Sequence, residues 1–358
     1  MTADDTNRTR VAIRDPLVGT MVAGRYRIEL RIAAGGFGAI YRALDLETGT
    51  DVALKLLHPR LTSDRAVVAR FRREGAALAQ LRDPHTVQAY DVGETEGGEL
   101  YIAMELLEGE SLHDRFRQLG PLPWRHVVAI ARAVCSSLAE AHALGIVHRD
   151  LKPANIHLEE RGDERNFVKV LDFGIAKIIH GGALDSADLT TAGQMIGTFD
   201  YMAVEQMIGG QCTPQSDLFT LGVVMYEMLT GVRPFGEAQT ATQMLAMLLT
   251  ATPEPLVRRV DVPPELDRVV MRCLDRSAAR RYGSAQELAV ELDFVLADHA
   301  RPRIPADPTS DDQTRPTVPV APAAAGFDSL DERTWIDEPV LVAKSTLPGI
   351  VPPKKPQR

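Results

Sequence analysis

Strand-like and helix-like patterns occupy separate parts of this chain, and that separation constrains its fold more than any other feature. Residues 26–32 (YRIELRI) alternate apolar and polar side chains as a half-buried strand does, and AIYRALD and DVALKLL are two further strand candidates. One helix is predicted from about residue 64 to residue 82, with Ser63 as its candidate N-cap. From about residue 111 onward helical patterns dominate. This order predicts an α+β protein: a small antiparallel sheet with one main helix, then a larger, mostly helical part.

Prolines mark the end of the folded part. Eleven of the 23 prolines lie in the last 58 residues, and the stretch from Arg301 onward is polar and without period. We therefore expect a folded region over 24–300, between a flexible leader (1–23) and a disordered Pro-rich tail (301–358). Trp335 and a few apolar residues in the tail have two readings: a short docking motif or, as we favour, solvated chain with one stray aromatic residue.

Composition and charge exclude several classes of protein. The 45% hydrophobic and 25% charged fractions are typical of a globular protein, and the net charge of -9 argues against a nucleic-acid partner. The sequence has no run of about 18 uncharged apolar residues, so we expect no membrane span. The three cysteines form no CxxC pair, which favours neither a zinc site nor a disulfide framework and indicates a reducing, cytoplasmic compartment.

Two features of the strand-rich part draw attention. The glycines of residues 32–41 (IAAGGFGAIY) lie between two predicted strands, where they permit either a phosphate-binding turn or an ordinary hairpin. Lys55 stands among apolar residues of a predicted strand, and Glu74 falls on the apolar face of the predicted helix. One interpretation is a buried Lys55–Glu74 ion pair; the other is that Lys55 extends to solvent while Glu74 pairs with neighbouring arginines.

The stretch GIVHRDLKPANIHL (145–158) places an acid, a base and an amide between apolar anchors. Asp150 is suited to accept a proton from an attacking hydroxyl, and Lys152 is suited to neutralise charge on a transferring phosphoryl group. Asn155 and, 17 residues further on, Asp172 offer oxygen ligands for a divalent cation. Together with Lys55, these residues form a constellation suited to phosphoryl transfer.

These segments, in this order, resemble the eukaryotic-type Ser/Thr protein kinase family as found in bacteria, over roughly residues 26–298. The resemblance implies a bilobal protein kinase fold with an N-lobe over about 24–104, a hinge over 105–110 and a C-lobe over 111–300. MELLEG (104–109) is similar to the family's hinge, HRDLKPAN to its catalytic loop, and GTFDYMAVEQ to the segment that closes its activation loop. Asp217 and Arg281 match the residues that brace the large lobe, with Arg281 pairing with Glu205.

The resemblance also assigns roles to individual residues. Asp150 is the expected catalytic base, Lys152 and Lys55 contact phosphate, Glu74 is the helix partner of Lys55, and Asn155 and Asp172 bind metal. The expected ATP-binding residues form the glycine loop, the adenine pocket and the hinge; they are Ile32, Ala33, Ala34, Gly35, Gly36, Phe37, Gly38, Ala39, Ile40, Ala53, Lys55, Met104, Glu105, Leu107 and His157.

The implied activity is transfer of the ATP γ-phosphoryl group to Ser or Thr hydroxyls of proteins in bacterial signalling, with Mg2+ as cofactor and Mn2+ as an alternative metal. The "DLKP" form of the loop, with Lys152, indicates Ser/Thr and not Tyr as the acceptor. One alternative is a pseudokinase, a nucleotide-binding signalling scaffold. Another, a small-molecule kinase, is disfavoured because such enzymes do not need the long activation segment.

Regulation is expected to involve the polar loop between Asp172 and Glu205. Arg149 is expected to bind a phosphate on Thr190 or Thr191 after autophosphorylation, with an ordinary flexible loop as the alternative. Thr198 is expected to bond Asp150 and Lys152, or simply to cap a turn. A homodimer would permit autophosphorylation in trans.

Three positions depart from the family pattern. Ala33 replaces the first glycine of the loop, where its Cβ is expected to crowd the nucleotide. Val204 replaces a proline, with a modest expected effect. His157 stands where the family places an apolar residue beneath the adenine, so protonation of its ring is expected to weaken nucleotide binding at low pH.

Overall fold

The computed structural model describes residues 15–35, 38–59, 65–161, 164–173 and 199–300. The first lobe contains β1 (Met21–Val22), β2 (Tyr26–Gly35), β3 (Gly38–Asp45), β4 (Asp51–Leu57), α1 (Arg65–Leu78), β5 (Ala89–Glu94) and β6 (Leu100–Glu105). The second contains β7 (Gly109–Ser111), α2 (Leu112–Leu119), α3 (Trp124–Ala143), β8 (Ile156–Arg161), β9 (Glu164–Val170), α4 (Val204–Met207), α5 (Pro214–Thr230), α6 (Ala241–Thr250), α7 (Pro264–Cys273) and α8 (Ala285–Ala300). The expected small sheet lobe and larger helical lobe are confirmed.

The sheet of the first lobe has the order β1-β2-β3-β4-β6-β5, with every neighbouring pair antiparallel. Its central strand β4 is buried on both faces: Val52 and Leu54 pack in one apolar cluster, and Ala53 and Leu57 pack in a second cluster with Phe71 of α1. Since side chains of a strand alternate between faces, Lys55 shares the face of Ala53 and Leu57, which is the face toward α1.

The structure extends and trims the predicted elements. β2 runs three residues beyond the predicted 26–32, because its last residues pair with the start of β3 in a hairpin. The helix predicted to reach residue 82 ends at Leu78, where the chain turns toward β5. Ser63 lies outside the described residues. The sequence also lacked a clear alternating pattern for β5, whose residues are half buried or exposed.

The second lobe is organised around α5. Of its 17 residues, 13 are buried, so the helix is apolar on nearly all sides and lies at the centre of the lobe. Helix α3 packs between α5 and α8, and β7, β8 and β9 form a separate three-stranded sheet whose first strand begins within the expected hinge. Gly231 ends α5 in a left-handed conformation (φ 78°).

Arg281, which is buried, and Glu205, which is half buried, form an ion pair in this lobe, as the family resemblance predicts. Two nitrogens of Arg281 bind the two carboxylate oxygens of Glu205 at 2.7 and 3.1 Å, and its remaining donors reach backbone carbonyls, such as that of Asp275 at 2.7 Å. Burial raises the pKa of Glu205, but hydrogen bonds from Arg281 and Ser216 outweigh that effect, so its pKa is lowered overall.

We expect Glu205→Gln to lower the free energy of unfolding by about 3 kcal/mol, because it leaves the guanidinium of Arg281 buried without a counter-charge. Urea unfolding of the variant and the parent at pH 7 measures the difference. Since the pKa of Glu205 is depressed in the folded chain, its contribution is present above the unfolded pKa and lost as the pH falls through the folded value. A change below about 1 kcal/mol at pH 7 would contradict this account.

Within the described ranges, no helix combines the length and the apolar character needed to cross a membrane.

The three cysteines are free thiols: Cys135 and Cys273 are buried and Cys212 is half buried. Burial raises the pKa of the Cys273 thiol to about 12, so this side chain behaves as a small apolar core residue.

Candidate active site

The segment between α3 and β8 holds three polar side chains together. The Nζ atom of Lys152 lies 2.8 and 3.0 Å from the two carboxylate oxygens of Asp150. The Nδ2 atom of Asn155 donates to the backbone carbonyl of Asp150 at 2.7 Å and to its Oδ2 at 3.1 Å. A 3-10 turn over Pro153–Asn155 brings the amide back to the carboxylate. With its nitrogen used in this way, the amide oxygen of Asn155 is the atom available to a cation.

Asp217 holds the backbone that leads into Asp150. This carboxylate, on the first turn of α5, accepts the N–H of His148 at 2.8 Å and the N–H of Arg149 at 2.9 Å. Arg149 has a φ of 69°, in the left-handed region that residues with a side chain rarely adopt. The two bonds to Asp217 therefore stabilise a strained backbone beside the expected base.

His148 connects the expected base to the expected metal ligand. Its Nδ1 accepts the N–H of Asp150 at 3.3 Å, so its Nε2 carries the ring proton and donates to the carbonyl of Leu171 at 2.8 Å. Leu171 directly precedes Asp172. One buried ring therefore ties together the two chain segments that carry acidic site residues.

Lys55 of the sheet lobe reaches Asp172 of the helical lobe, with 2.7 Å between Nζ and Oδ1. Burial raises the pKa of Asp172, but the charge and hydrogen bond of Lys55 outweigh it, and the charge of Lys152 acts in the same direction as Lys55. The net pKa is lowered, so this carboxylate is ionised at neutral pH. Asp172 itself has a φ of 63°, a second strained residue in the cleft.

Some of the predicted site residues lie outside the described part of the chain. The side chain of Glu74 lies outside the described part, although its backbone belongs to α1, and the Lys55–Glu74 pair stays a prediction. The other predicted residues outside the described ranges are Gly36, Phe37, Thr190, Thr191 and Thr198. The sequence did not predict the Lys55–Asp172 contact, because 117 residues separate its partners.

The described part of the predicted glycine loop is a hairpin between β2 and β3. Ala33 pairs with Ile40, Ala34 with Ala39, and Gly35 with Gly38, while Ile32 and its three successors are exposed. Gly38 has a φ of 154°, and a Cβ on it would collide with the carbonyl of Leu56 in β4. The close approach of β4 therefore requires a glycine at position 38. This requirement is structural and does not depend on any ligand of the hairpin.

The expected adenine side of the cleft lies where β4 meets β6. Ala53 and Met104 are register partners, and both are buried. The N–H of Glu105 donates to the carbonyl of Gln88 at 3.0 Å, and its carboxylate lies 2.5 Å from Nζ of the buried Lys169 on β9. This ion pair joins the end of β6 to the helical lobe. The sequence shows a lysine between two valines just before Asp172, which indicates a buried charge but not its partner.

His157 is described on β8, between the buried residues Ile156 and Leu158, and is itself half buried. Its Nε2 lies 3.3 Å from the carbonyl of Glu108 in the hinge, and the neighbouring Leu107 is also half buried. Burial lowers the pKa of His157, and the interaction with the Glu108 carbonyl only partly opposes it. The neutral ring is therefore the stable form at neutral pH.

The lowered pKa of His157 defines the pH range in which this residue is expected to affect ATP binding. Because the pKa of His157 is lowered from the ordinary histidine value of about 6.5, its ring is neutral above pH 7, so we expect this residue to leave ATP affinity unchanged there and to weaken it as the pH falls toward 5. The measurement is the ratio of ATP dissociation constants for the parent and His157→Leu from pH 5 to pH 8, which cancels the titration of ATP itself. A constant ratio would reject the idea.

A lysine and an asparagine hold one carboxylate here, and a Lys–Asp pair bridges the sheet lobe and the helical lobe. This arrangement is typical of proteins that transfer phosphoryl groups. A model of the protein kinase domain matches residues 26–292. With the relatives described next, this match shows that the chain belongs to the protein kinase family, and within it to the bacterial Ser/Thr protein kinases.

The chain is 38% identical over 349 residues to the Serine/threonine-protein kinase pkn3 of Myxococcus xanthus, covering 95% of this chain and 63% of that protein. It is 36% identical over 295 residues to the Serine/threonine-protein kinase PknL of Mycobacterium tuberculosis, covering 82% of this chain and 71% of that protein. The crystal structure of the Mycobacterium tuberculosis PknI kinase domain is similar, with a TM-score of 0.60 and 27% identity over 77% of this chain and 98% of that one.

Proposed function

We propose that this chain transfers the γ-phosphoryl group of ATP to Ser or Thr hydroxyls of proteins. The observation that carries the proposal is the Lys55–Asp172 contact of 2.7 Å, which joins the two lobes, while His148 links the segment of Asp172 to the segment of Asp150. In this proposal these side chains act together on one phosphoryl group, and the support from similarity is that the relatives covering most of the chain are named Ser/Thr protein kinases.

The proposed reaction uses residues of both lobes. Asp150 accepts the proton of the substrate hydroxyl while the new O–P bond forms, and the bond between the γ-phosphorus and its bridging oxygen breaks to release ADP. Lys152 stabilises charge on the transferring group, and Lys55 contacts the remaining phosphates. Asp172 and the amide oxygen of Asn155 would hold Mg2+, or Mn2+ in its place, which supplies further charge neutralisation on the phosphates.

The acceptor residue and the pseudokinase alternative are decided by one assay. The purified chain is incubated with radiolabelled ATP, Mg2+ and a generic basic protein, followed by phosphoamino-acid analysis of both proteins. We expect label on phosphoserine and phosphothreonine but not on phosphotyrosine, and none when the metal is chelated. Binding of ATP without any transfer would overturn the proposal in favour of a signalling scaffold; label on phosphotyrosine would overturn the acceptor assignment.

We further propose that Arg149 receives a phosphate carried by Thr190 or Thr191, which makes autophosphorylation an activating step. The support is the Nε of Arg149, a buried donor with no hydrogen-bond partner among the described residues. A charged phosphate oxygen would satisfy it. Phosphopeptide mapping of an active sample is the test, and an active sample with neither threonine modified contradicts the proposal. We also propose that one copy of the chain phosphorylates another copy and that this takes place in the cytoplasm.

A further inference from the structure

The side chain that holds the catalytic loop is itself held by a histidine. Asp217 is 1% exposed, and it accepts the N–H groups of both His148 and Arg149. Its Oδ2, which accepts the His148 bond, also lies 2.8 Å from Nε2 of His142 near the end of α3. The carboxylate therefore bridges two backbone N–H groups of the catalytic loop and one side chain of a neighbouring helix.

The geometry assigns the tautomer of His142. An ionised carboxylate only accepts hydrogen bonds, so Nε2 of His142 must carry the proton that it donates. The other ring nitrogen, Nδ1, is buried and has no hydrogen-bond partner among the described residues. Only 9% of the side chain is exposed. An apolar side chain would fill this position without burying an unpaired nitrogen, so the one bond to Asp217 is the polar contribution that distinguishes histidine here.

We propose that His142 is a positioning residue for phosphoryl transfer, acting through Asp217. Its Nε2–H fixes the rotation of the Asp217 carboxylate, so that one oxygen faces the N–H of His148 and the other faces the N–H of Arg149. Because Arg149 is held in a left-handed backbone conformation (φ 69°), loss of this restraint lets the loop relax and moves the carboxylate of Asp150 away from the attacking hydroxyl. The inference rests on the proposed function, because it concerns the rate of that reaction.

Two amide variants separate the hydrogen bond from the volume of the ring. His142→Gln places an amide N–H near the position of Nε2 and keeps the bond, whereas His142→Asn is also polar but too short to reach Asp217. Ser137→Ala is the matched control, because Ser137 lies on the same helix and its buried hydroxyl bonds Thr86 at 2.6 Å, away from the catalytic loop. The measurements are kcat, KM for ATP, thermal unfolding, and hydrogen–deuterium exchange of residues 146–152.

We expect His142→Asn to lower kcat about tenfold with KM for ATP within about twofold, and to accelerate exchange of the loop amides. His142→Gln is expected to recover kcat to within about threefold of the parent and to restore slow exchange. Ser137→Ala is expected to lower the unfolding temperature without changing either kcat or loop exchange.

Equal loss of kcat in both amide variants, or slow loop exchange in His142→Asn, overturns the inference. So does a rate loss that tracks unfolding temperature across all three variants, because His142 would then be only structural. If the parent chain transfers no phosphate, the proposed function fails, and the exchange of the loop amides still decides whether His142 restrains the loop.

Discussion

The Asp150→Asn variant is expected to lose about 10³-fold in kcat while its KM for ATP stays within about threefold of the parent. The amide keeps nearly the same shape and still accepts hydrogen bonds from Lys152 and Asn155. It has no basic oxygen to take the proton of the attacking hydroxyl, so the loss falls on the chemical step. Initial rates of phosphate transfer to a protein substrate, at saturating ATP, measure the effect.

Circular dichroism and thermal unfolding serve as controls for this variant, because Asp150 is only partly buried, with 21% of its side chain exposed, and should tolerate the change. A decrease in kcat of less than about tenfold would show that another group accepts the proton. In that case Asp150 would only orient the hydroxyl, and its bonds to Lys152 and Asn155 would have to be explained as structural.

The second large effect is expected for Asp172→Asn, which should lower kcat about 10²-fold and raise the Mg2+ concentration needed for half-maximal activity. Asparagine suits this position, because it tolerates the left-handed backbone of residue 172 (φ 63°) better than alanine would. The substitution therefore removes the charge and leaves the backbone in place. It also deprives Lys55 of its anionic partner at 2.7 Å.

The matched control is Asp51→Asn on β4, the strand that carries Lys55, because Asp51 is a partly exposed carboxylate that pairs with Arg42 at the surface. It should leave both kcat and the Mg2+ dependence unchanged. Activity is measured as a function of Mg2+ from micromolar to millimolar concentrations in the three proteins. An unchanged Mg2+ profile in Asp172→Asn would remove this residue from the proposed metal site.

The local part of the site was predictable from the sequence, because its members lie close together in the chain. Asp150, Lys152 and Asn155 fall within six positions, and a proline ensures that the segment turns, so proximity in sequence becomes proximity in space. The order of strand and helix patterns likewise predicted two lobes, since period-two and helical segments bury different faces.

Contacts between distant segments were less predictable. The family resemblance paired Arg281 with Glu205, and the structure confirms that pair. No pattern in the sequence indicated that Lys169 would bind Glu105 behind the hinge. A lysine between two valines predicts a strand residue but not its partner. The alternation of side chains along a strand shows which face is buried, but not which charged group lies against that face.

The order of motifs along the polypeptide was enough to determine a two-lobed phosphoryl-transfer protein and the identity of its acidic and basic groups, because these follow from local spacing and side-chain chemistry. Only the tertiary structure decided how the groups are held. Three separate segments meet here: the strained backbone of Arg149, the carboxylate of Asp217 that accepts its N–H, and the ring of His142 that bonds this carboxylate. Hydrogen bonds of this kind depend on how helices pack, and packing orientation is not encoded in any single stretch of residues.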